Sequence, residues 1–380
     1  MEYKALKDIA KITMGQSPDS SSYNEEKDGL PFFQGNADFG ELYPNERVWC
    51  NDPKKIAEPG DILISVRAPI GALNYAKDKC CIGRGLAAIT IEDDAERNYV
   101  FHLLKARNNA LNQKGTGSTF KAIGKNVLEE VAVPQISRDE QQKCMDMMDL
   151  LESIIRERKS QLDKLDELIQ ARFVEVFGNP VTNDKGWSTD SCKNLMKKIG
   201  SGATPKGGRE SYCDEGISLI RSMNVYNNRF EYKDLAHITD EQAEQLDNVT
   251  IEKSDVLLNI TGASVARCCV VPDDLLPARV NQHVSIIRCK ENLLPEFVCS
   301  IFTEDNYQRL LWNIATAGGA TREAITKQQI EDLQLIVPPL VLQKQFMEFV
   351  NQVDKSKVAV QKALDETQLL FNSLMQEYFG

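Results

Sequence analysis

Two stretches, 138–178 and 342–380, restrict this chain to folds that can house a long amphipathic rod twice. The first reads RDEQQKCMDMMDLLESIIRERKSQLDKLDELIQARFVEVFG; it has no Pro, and its only Gly is the last residue, where a helix favours a left-handed cap. Met148, Leu151, Ile155, Leu162, Leu165 and Ile169 recur at helical spacing, and Glu, Asp, Lys, Arg and Gln fill most of the slots between them. That is the period of a helix with one apolar seam. At 1.5 Å per residue such a rod would be about 60 Å long. A narrow apolar stripe on a charged rod needs a partner helix rather than a broad core.

The partner lies in the same chain. With Phe177-Gly178 laid over Phe379-Gly380, a shift of 202 positions, Met148 falls on Val350, Leu151 on Val353, Leu162 on Leu364 and Ile169 on Phe371. Where the first copy interrupts its seam with Arg158 and Arg172, the second supplies Val360 and Leu374. Two matched seams in one polypeptide predict an intramolecular antiparallel helix pair.

The segments before each rod repeat as well. GDILISVRAPIG parallels SDVLLNITGASVA with Asp61 on Asp255, a shift of 194. IGRGLAAI parallels VNQHVSII at 198, and GTGSTFKAIGKNVLEEVAVPQI parallels AGGATREAITKQQIEDLQLIVPPL at 202. Loop insertions produce such a drift. The expected fold class is mixed α/β. Two similar globular domains, α+β with a β-rich core, are separated and joined by two long antiparallel coiled-coil helices as a pseudo-two-fold tandem repeat. The boundaries expected are 1–136, 137–178, 179–341 and 342–380.

Catalytic signatures are scarce. No GxxxxGK[ST] loop occurs, and no GxGxxG follows a strand. The ten Cys form no CxxC pair and make no metal spacing with His102, His237 and His283, so buried free thiols in a reducing cytoplasm are expected. No apolar run is long enough for a membrane span. Pro18-Asp19 followed by Glu25-Glu26-Lys27 spells the acids and lysine of a Mg-dependent nuclease, but within one Ser-rich loop rather than on neighbouring strands. A net charge of −11 argues against nucleic-acid binding through bulk charge; any polyanion contact would need a local basic surface or a partner.

The loops, in contrast, carry side chains suited to base edges and phosphates. In the first block these are Gln16, Ser17, Gln34, Asn36, Arg67 and Arg84, with Thr116, Ser118, Thr119 and Lys121 in the loop before the rod. In the second they are Thr204, Lys206, Arg209, Arg221 and Asn224, then Asn259, Thr261, Arg267, Gln282 and His283, and Thr321 and Arg322 before the second rod. Arg, Asn and Gln make bidentate contacts to guanine and adenine, whereas Ser, Thr, Lys and Gly-rich turns suit phosphate oxygens. Two unlike readers would take a split, asymmetric target. A protein-binding coiled-coil adaptor is the competing reading.

Over its whole length the chain resembles the specificity (S) subunit of a type I restriction–modification system. GQSPDSSSYN…GLPFFQGNADFG and SGATPKGG…ISLIRSMNV resemble openings of its target-recognition domains, and GDILISVRAPIG and SDVLLNITGASVA its repeated mid-domain motif. VPQI…EQQK and VPPLVLQKQ, each running into a long helix ending Phe-Gly, resemble its spacer regions. The resemblance implies a non-catalytic, cytoplasmic subunit without a cofactor of its own. It would read a bipartite double-stranded DNA target and place two methyltransferase (M) subunits, which carry S-adenosylmethionine, for adenine N6 methylation. ATP- and Mg-dependent restriction (R) subunits would join the complex; no membrane is involved. One departure stands out: NITGASVA has no Arg opposite Arg67, and Arg267 is the nearest candidate.

Overall fold

Short apolar runs bounded by Gly, Pro and Asn give strands, and the long seams give helices. The computed structural model describes residues 2–117, 121–205, 207–317 and 323–379. It divides into two compact units, residues 1–160 with 360–380, and residues 161–359. Each holds one globular block and half of each long helix, Arg138–Phe177 and Leu340–Phe379.

Among the described residues, unit 1 has a four-stranded antiparallel sheet in the order Lys11–Met14, Leu86–Thr90, Ile62–Ser65, Leu73–Tyr75. Beside it Leu30–Phe33 pairs parallel with Cys80–Ile82. Glu2–Ala5 pairs with Ala132–Gln135 just before the first long helix. The central strands are buried on both faces: Ile62, Leu63 and Ile64, and Leu86, Ala87, Ala88 and Ile89, have no exposed surface. A helix over Asp94–Ala106 packs on this core, its first turn capped by the Asp93 carboxylate, which accepts from the backbone amides of Ala95 and Glu96.

Unit 2 repeats the order strand for strand: Met196–Ser201, Val284–Cys289, Val256–Asn259, Cys268–Val270. Its parallel pair is Ile217–Ile220 with Ala278–Val280, and Thr189–Ser191 with Gln334–Ile336 is the outer pair. The topology of the two blocks is that of a duplicated unit. They differ at the periphery, where unit 2 carries a hairpin, Val225–Tyr226 with Arg229–Phe230.

In each unit the helix halves run antiparallel. In unit 1 Cys144 lies near Glu377 and Tyr378, so the start of one helix meets the end of the other. In unit 2 Phe173 packs on Phe346 with ring centroids 5.6 Å apart, and Lys357 Nζ lies 2.6 Å from Asp166 Oδ1. Of the seam residues read from the sequence, Met148, Leu151, Ile155, Val353, Leu364 and Phe371 are buried. Leu162, Leu165, Ile169, Val350, Val360 and Leu374 are only half-buried. Deeply buried positions missed include Cys144, Met145, Phe173, Phe177, Phe346, Met375 and Phe379, which cluster toward the helix ends. There a globular block adds a third packing surface. Phe177 lies within 4.8 Å of Phe297, ring centre to ring centre, and Phe379 within 5.2 Å of Tyr99.

Gly178 ends the first helix with φ +75; a Cβ there would sit 2.2 Å from Asp184 Oδ1, so only Gly fits the turn. The ten cysteines are free thiols, most of them buried, and burial pushes Cys80 and Cys192 up to about 12. Among the described residues, no helix is long and apolar enough to cross a membrane.

Candidate functional site

Strand directions decide which loops meet. Lys11–Met14 and Ile62–Ser65 both run antiparallel to Leu86–Thr90, so their C-terminal ends flank its start. Leu30–Phe33 runs parallel to Cys80–Ile82, so their ends coincide, one short connection before Leu86. Four loops therefore open at one end of unit 1. Ser17, Gln34, Asn36, Arg67 and Arg84 line a single depression of 230 Å³ there. Gln16 is tied beside it by its amide to the Ile82 carbonyl, 3.0 Å. Ala122 bridges to both Arg67 and Thr116, and the Ala68 amide donates to the Lys121 carbonyl at 3.0 Å, adding Thr116 and Lys121 to the rim. Among the described residues, neither the Arg67 nor the Arg84 guanidinium makes an ion pair or hydrogen bond, and both residues are exposed. Unpaired cations around a polar hollow suit an anionic or acceptor-rich ligand.

Unit 2 presents the same end. Thr204, Arg221, Thr261, Gln282 and His283 occupy the corresponding loop positions. The Thr204 hydroxyl hydrogen-bonds the Gln282 side-chain carbonyl, and Thr261 Oγ1 lies 2.6 Å from His283 Nδ1. Thr261 bridges to Ala324 as Arg67 does to Ala122, so Thr261 is the residue opposite Arg67. Arg267 does not substitute for that Arg. Its guanidinium stacks on Tyr226 at 4.4 Å, on the ring that Arg229 also approaches at 5.0 Å.

Two candidates belong to the core instead. Asn224 is fully buried; its Oδ1 accepts from the Arg221 amide and its Nδ2 donates to the carbonyls of Glu231 and Lys233. Asp38 holds the equivalent turn in unit 1, accepting from the amides of Gln34 and Gly35. Asn259 is also fully buried and donates to the Ser222 carbonyl at 2.8 Å. Composition alone cannot separate an Asn that reads a ligand from one that closes a turn. Ser118, Thr119, Lys206, Thr321 and Arg322 lie outside the described residues, as does the side chain of Arg209.

Asp19 is engaged as a cap: its Oδ1 accepts from the Ser21 amide at 3.0 Å and hydroxyl at 2.7 Å, and these bonds hold its carboxyl below the usual range. Glu25 and Lys27 are exposed beyond the short strand Tyr23–Asn24, so the nuclease-like string does not place its acids on two neighbouring strands. Lys193, Lys197, Lys198 and Lys327 gather around a 580 Å³ groove in unit 2 and were not singled out from the sequence. The run CKNLMKK in an acidic chain is the signal that could have marked three of them; Lys327 joins only through the fold. Unit 1 has Lys11 and Lys125 at the positions equivalent to Lys198 and Lys327.

The type I restriction modification DNA specificity domain matches residues 1–165 and 184–367. The MjaX type I restriction enzyme specificity subunit of Methanocaldococcus jannaschii is 46% identical over 158 residues, 40% of this chain and 37% of that protein. The MjaIX specificity subunit of the same organism is 22% identical over 96% of this chain and 89% of its own length. The fold is also that of the type I restriction–modification S subunit from M. genitalium, with TM-score 0.56, 12% identity, and coverage of 100% of this chain and 96% of that one. With a duplicated block, a helix after each copy, and a specificity-domain match over both, the chain belongs to the type I restriction modification DNA specificity domain family.

Proposed function

We propose that this chain is the DNA-reading subunit of a type I restriction–modification complex, with one reading face at the loop end of each unit. The observation that carries it is the convergence of Ser17, Gln34, Asn36, Arg67 and Arg84 on one depression, repeated in unit 2 by Thr204, Thr261, Gln282 and His283. Because the two faces differ residue by residue, the target is in two unlike parts. The subunit recognises; chemistry belongs to its partners. Two methyltransferase subunits supply S-adenosylmethionine, and restriction subunits supply ATP- and Mg-dependent cleavage. The division 1–136, 137–178, 179–341 and 342–380 separates reading blocks from the helices that the partners grip.

The test is a methylome of cells expressing the chain with its methyltransferase subunit. A split adenine-methylated motif is expected, and replacing residues 1–136 by the corresponding block of a relative should change one half only. No split motif, or one untouched by the exchange, would overturn the reading.

Backbone contacts give a separate prediction. Lys197→Ala in the groove with Lys193, Lys198 and Lys327 should weaken binding alike on all sequences. It should also lower the slope of log affinity against log salt by about one. Titrations of the assembled complex with cognate and scrambled duplexes across a salt series would measure both. A slope equal to that of the unmodified protein would remove Lys197 from the phosphate track.

A further inference from the structure

Each unit has one short connection at the centre of its loop end, between a strand of the parallel pair and a central strand of the antiparallel sheet. In unit 1 it is Gly83-Arg84-Gly85, between Cys80–Ile82 and Leu86–Thr90; in unit 2 it is Asn281-Gln282-His283, between Ala278–Val280 and Val284–Cys289. We infer that the middle residue of this connection, Arg84 in unit 1 and Gln282 in unit 2, is the base-identity determinant of each half-site, Arg84 for guanine and Gln282 for adenine. The inference rests on the DNA-reading role proposed above.

The backbone of the connection is fixed in the same way twice. The Gly83 amide donates to the Phe33 carbonyl at 2.8 Å, and the Asn281 amide to the Ile220 carbonyl at 3.1 Å. The Val66 amide donates to the Gly85 carbonyl at 2.8 Å, and the Ile260 amide to the His283 carbonyl at 3.0 Å. A glycine from the preceding loop closes over each one. A Cβ on Gly15 would fall 2.1 Å from the Gly83 carbonyl oxygen, and one on Gly202 would fall 1.6 Å from that of Val280. With its ends tied and its neighbour stripped of a side chain, the connection is held at the same backbone points in both units. A determinant on rigid backbone discriminates better than one on a pliant loop.

The middle side chains are exposed in both units, and a hydroxyl from the same loop position attends each. Ser17 Oγ accepts from the Arg84 amide at 3.3 Å, which leaves the guanidinium free of a described partner. The Thr204 hydroxyl donates to the Gln282 side-chain carbonyl. That oxygen keeps a second lone pair, and the amide nitrogen keeps its two donors, so the adenine-matching pair of one acceptor and one donor is intact. Guanidinium to guanine O6 and N7, and carboxamide to adenine N6 and N7, are the bidentate matches these side chains make in the major groove.

The test uses the assembled complex with its methyltransferase subunit and the variants R84Q, Q282R, R84A and Q282A, each first shown to melt like the unmodified protein. Methylomes and competition binding to duplexes substituted one base pair at a time are read together. Q282R should change one base pair in one half of the motif toward G·C, and R84Q one base pair in the other half toward A·T. The alanine variants should lose about ten- to a hundredfold in affinity for the cognate duplex and cease to discriminate at that one position. A split motif that stays the same in all four variants, or an alanine loss equal on every sequence, would overturn the inference and leave the reading role standing. Failure of the unmodified complex to give a split motif would instead remove the role itself.

Discussion

Asp255→Ala is expected to lower the stability of unit 2 by about 3–5 kcal/mol, the cost of breaking an ion pair whose carboxylate is buried. The Asp255 carboxylate is wholly buried and takes two parallel bonds from Arg288, Nε to Oδ1 at 2.8 Å and Nη2 to Oδ2 at 2.9 Å. It also accepts from the Glu252 amide at 2.7 Å, so its removal orphans a backbone donor as well as a guanidinium. Arg288 keeps Glu252 as a second partner, which places the expected loss toward the lower end of the range. Hydrogen exchange should show protection lost in strands 256–259 and 284–289 while unit 1 holds its own. Unchanged exchange in those strands would mean the pair contributes little. Unit 1 supplies the internal contrast. Asp61 occupies the equivalent position, but Thr90 stands where Arg288 would be, and burial pushes the Asp61 carboxyl up. A carboxyl whose folded value lies above its unfolded one favours the fold when protonated, so its contribution fades as pH rises through those values. Asp61→Asn should accordingly cost much less at neutral pH than Asp255→Ala.

Phe177→Ala should cost unit 2 about 3–5 kcal/mol through the cavity it leaves. The ring has no exposed surface and meets Phe297, Phe173 and Phe346 at 4.8, 5.2 and 5.5 Å between centroids. Those three come from a block helix and from both long helices, so one side chain joins the pair to the globular block. The Trp187 indole N–H donates to the Phe177 carbonyl at 3.0 Å, which makes Trp187 fluorescence a local reporter in a background with Trp49 and Trp312 replaced by Phe. The expected result is a blue-to-red shift of that emission at lower denaturant, with early loss of exchange protection over 340–353. If both follow the unmodified protein, the helix end is not anchored by this residue.

The duplication was legible because insertions leave the order of motifs intact, and Asp61 and Asp255 do land on the same structural position. The helix pair was legible from its period. Its burial gradient was not, since Phe173 and Phe346 are recognisable as core only once a third surface is known to cover them. The candidate loops were found by composition, which picks out the exposed Arg67, Arg84, Thr204 and Gln282 and the buried Asn224 and Asn259 alike. Whether an Asn faces solvent or stitches a turn depends on carbonyls brought near by the fold, Ser222 for one and Glu231 for the other. The lysine groove was missed because Lys327 arrives from a helix far along the chain.

Unit 1 is assembled from residues 1–160 and 360–380, whereas unit 2 is one continuous span between them. On a ribosome adding roughly 5–20 residues per second, the 200 positions from 160 to 360 take about 10–40 s to emerge. Through that interval the outer unit waits with the apolar surface that Tyr99 later presents to Phe379 uncovered, and the inner unit, whole once residue 359 is out, is complete before it. The newborn chain therefore passes through an obligatory half-finished stage, and that stage is where a chaperone would be needed most.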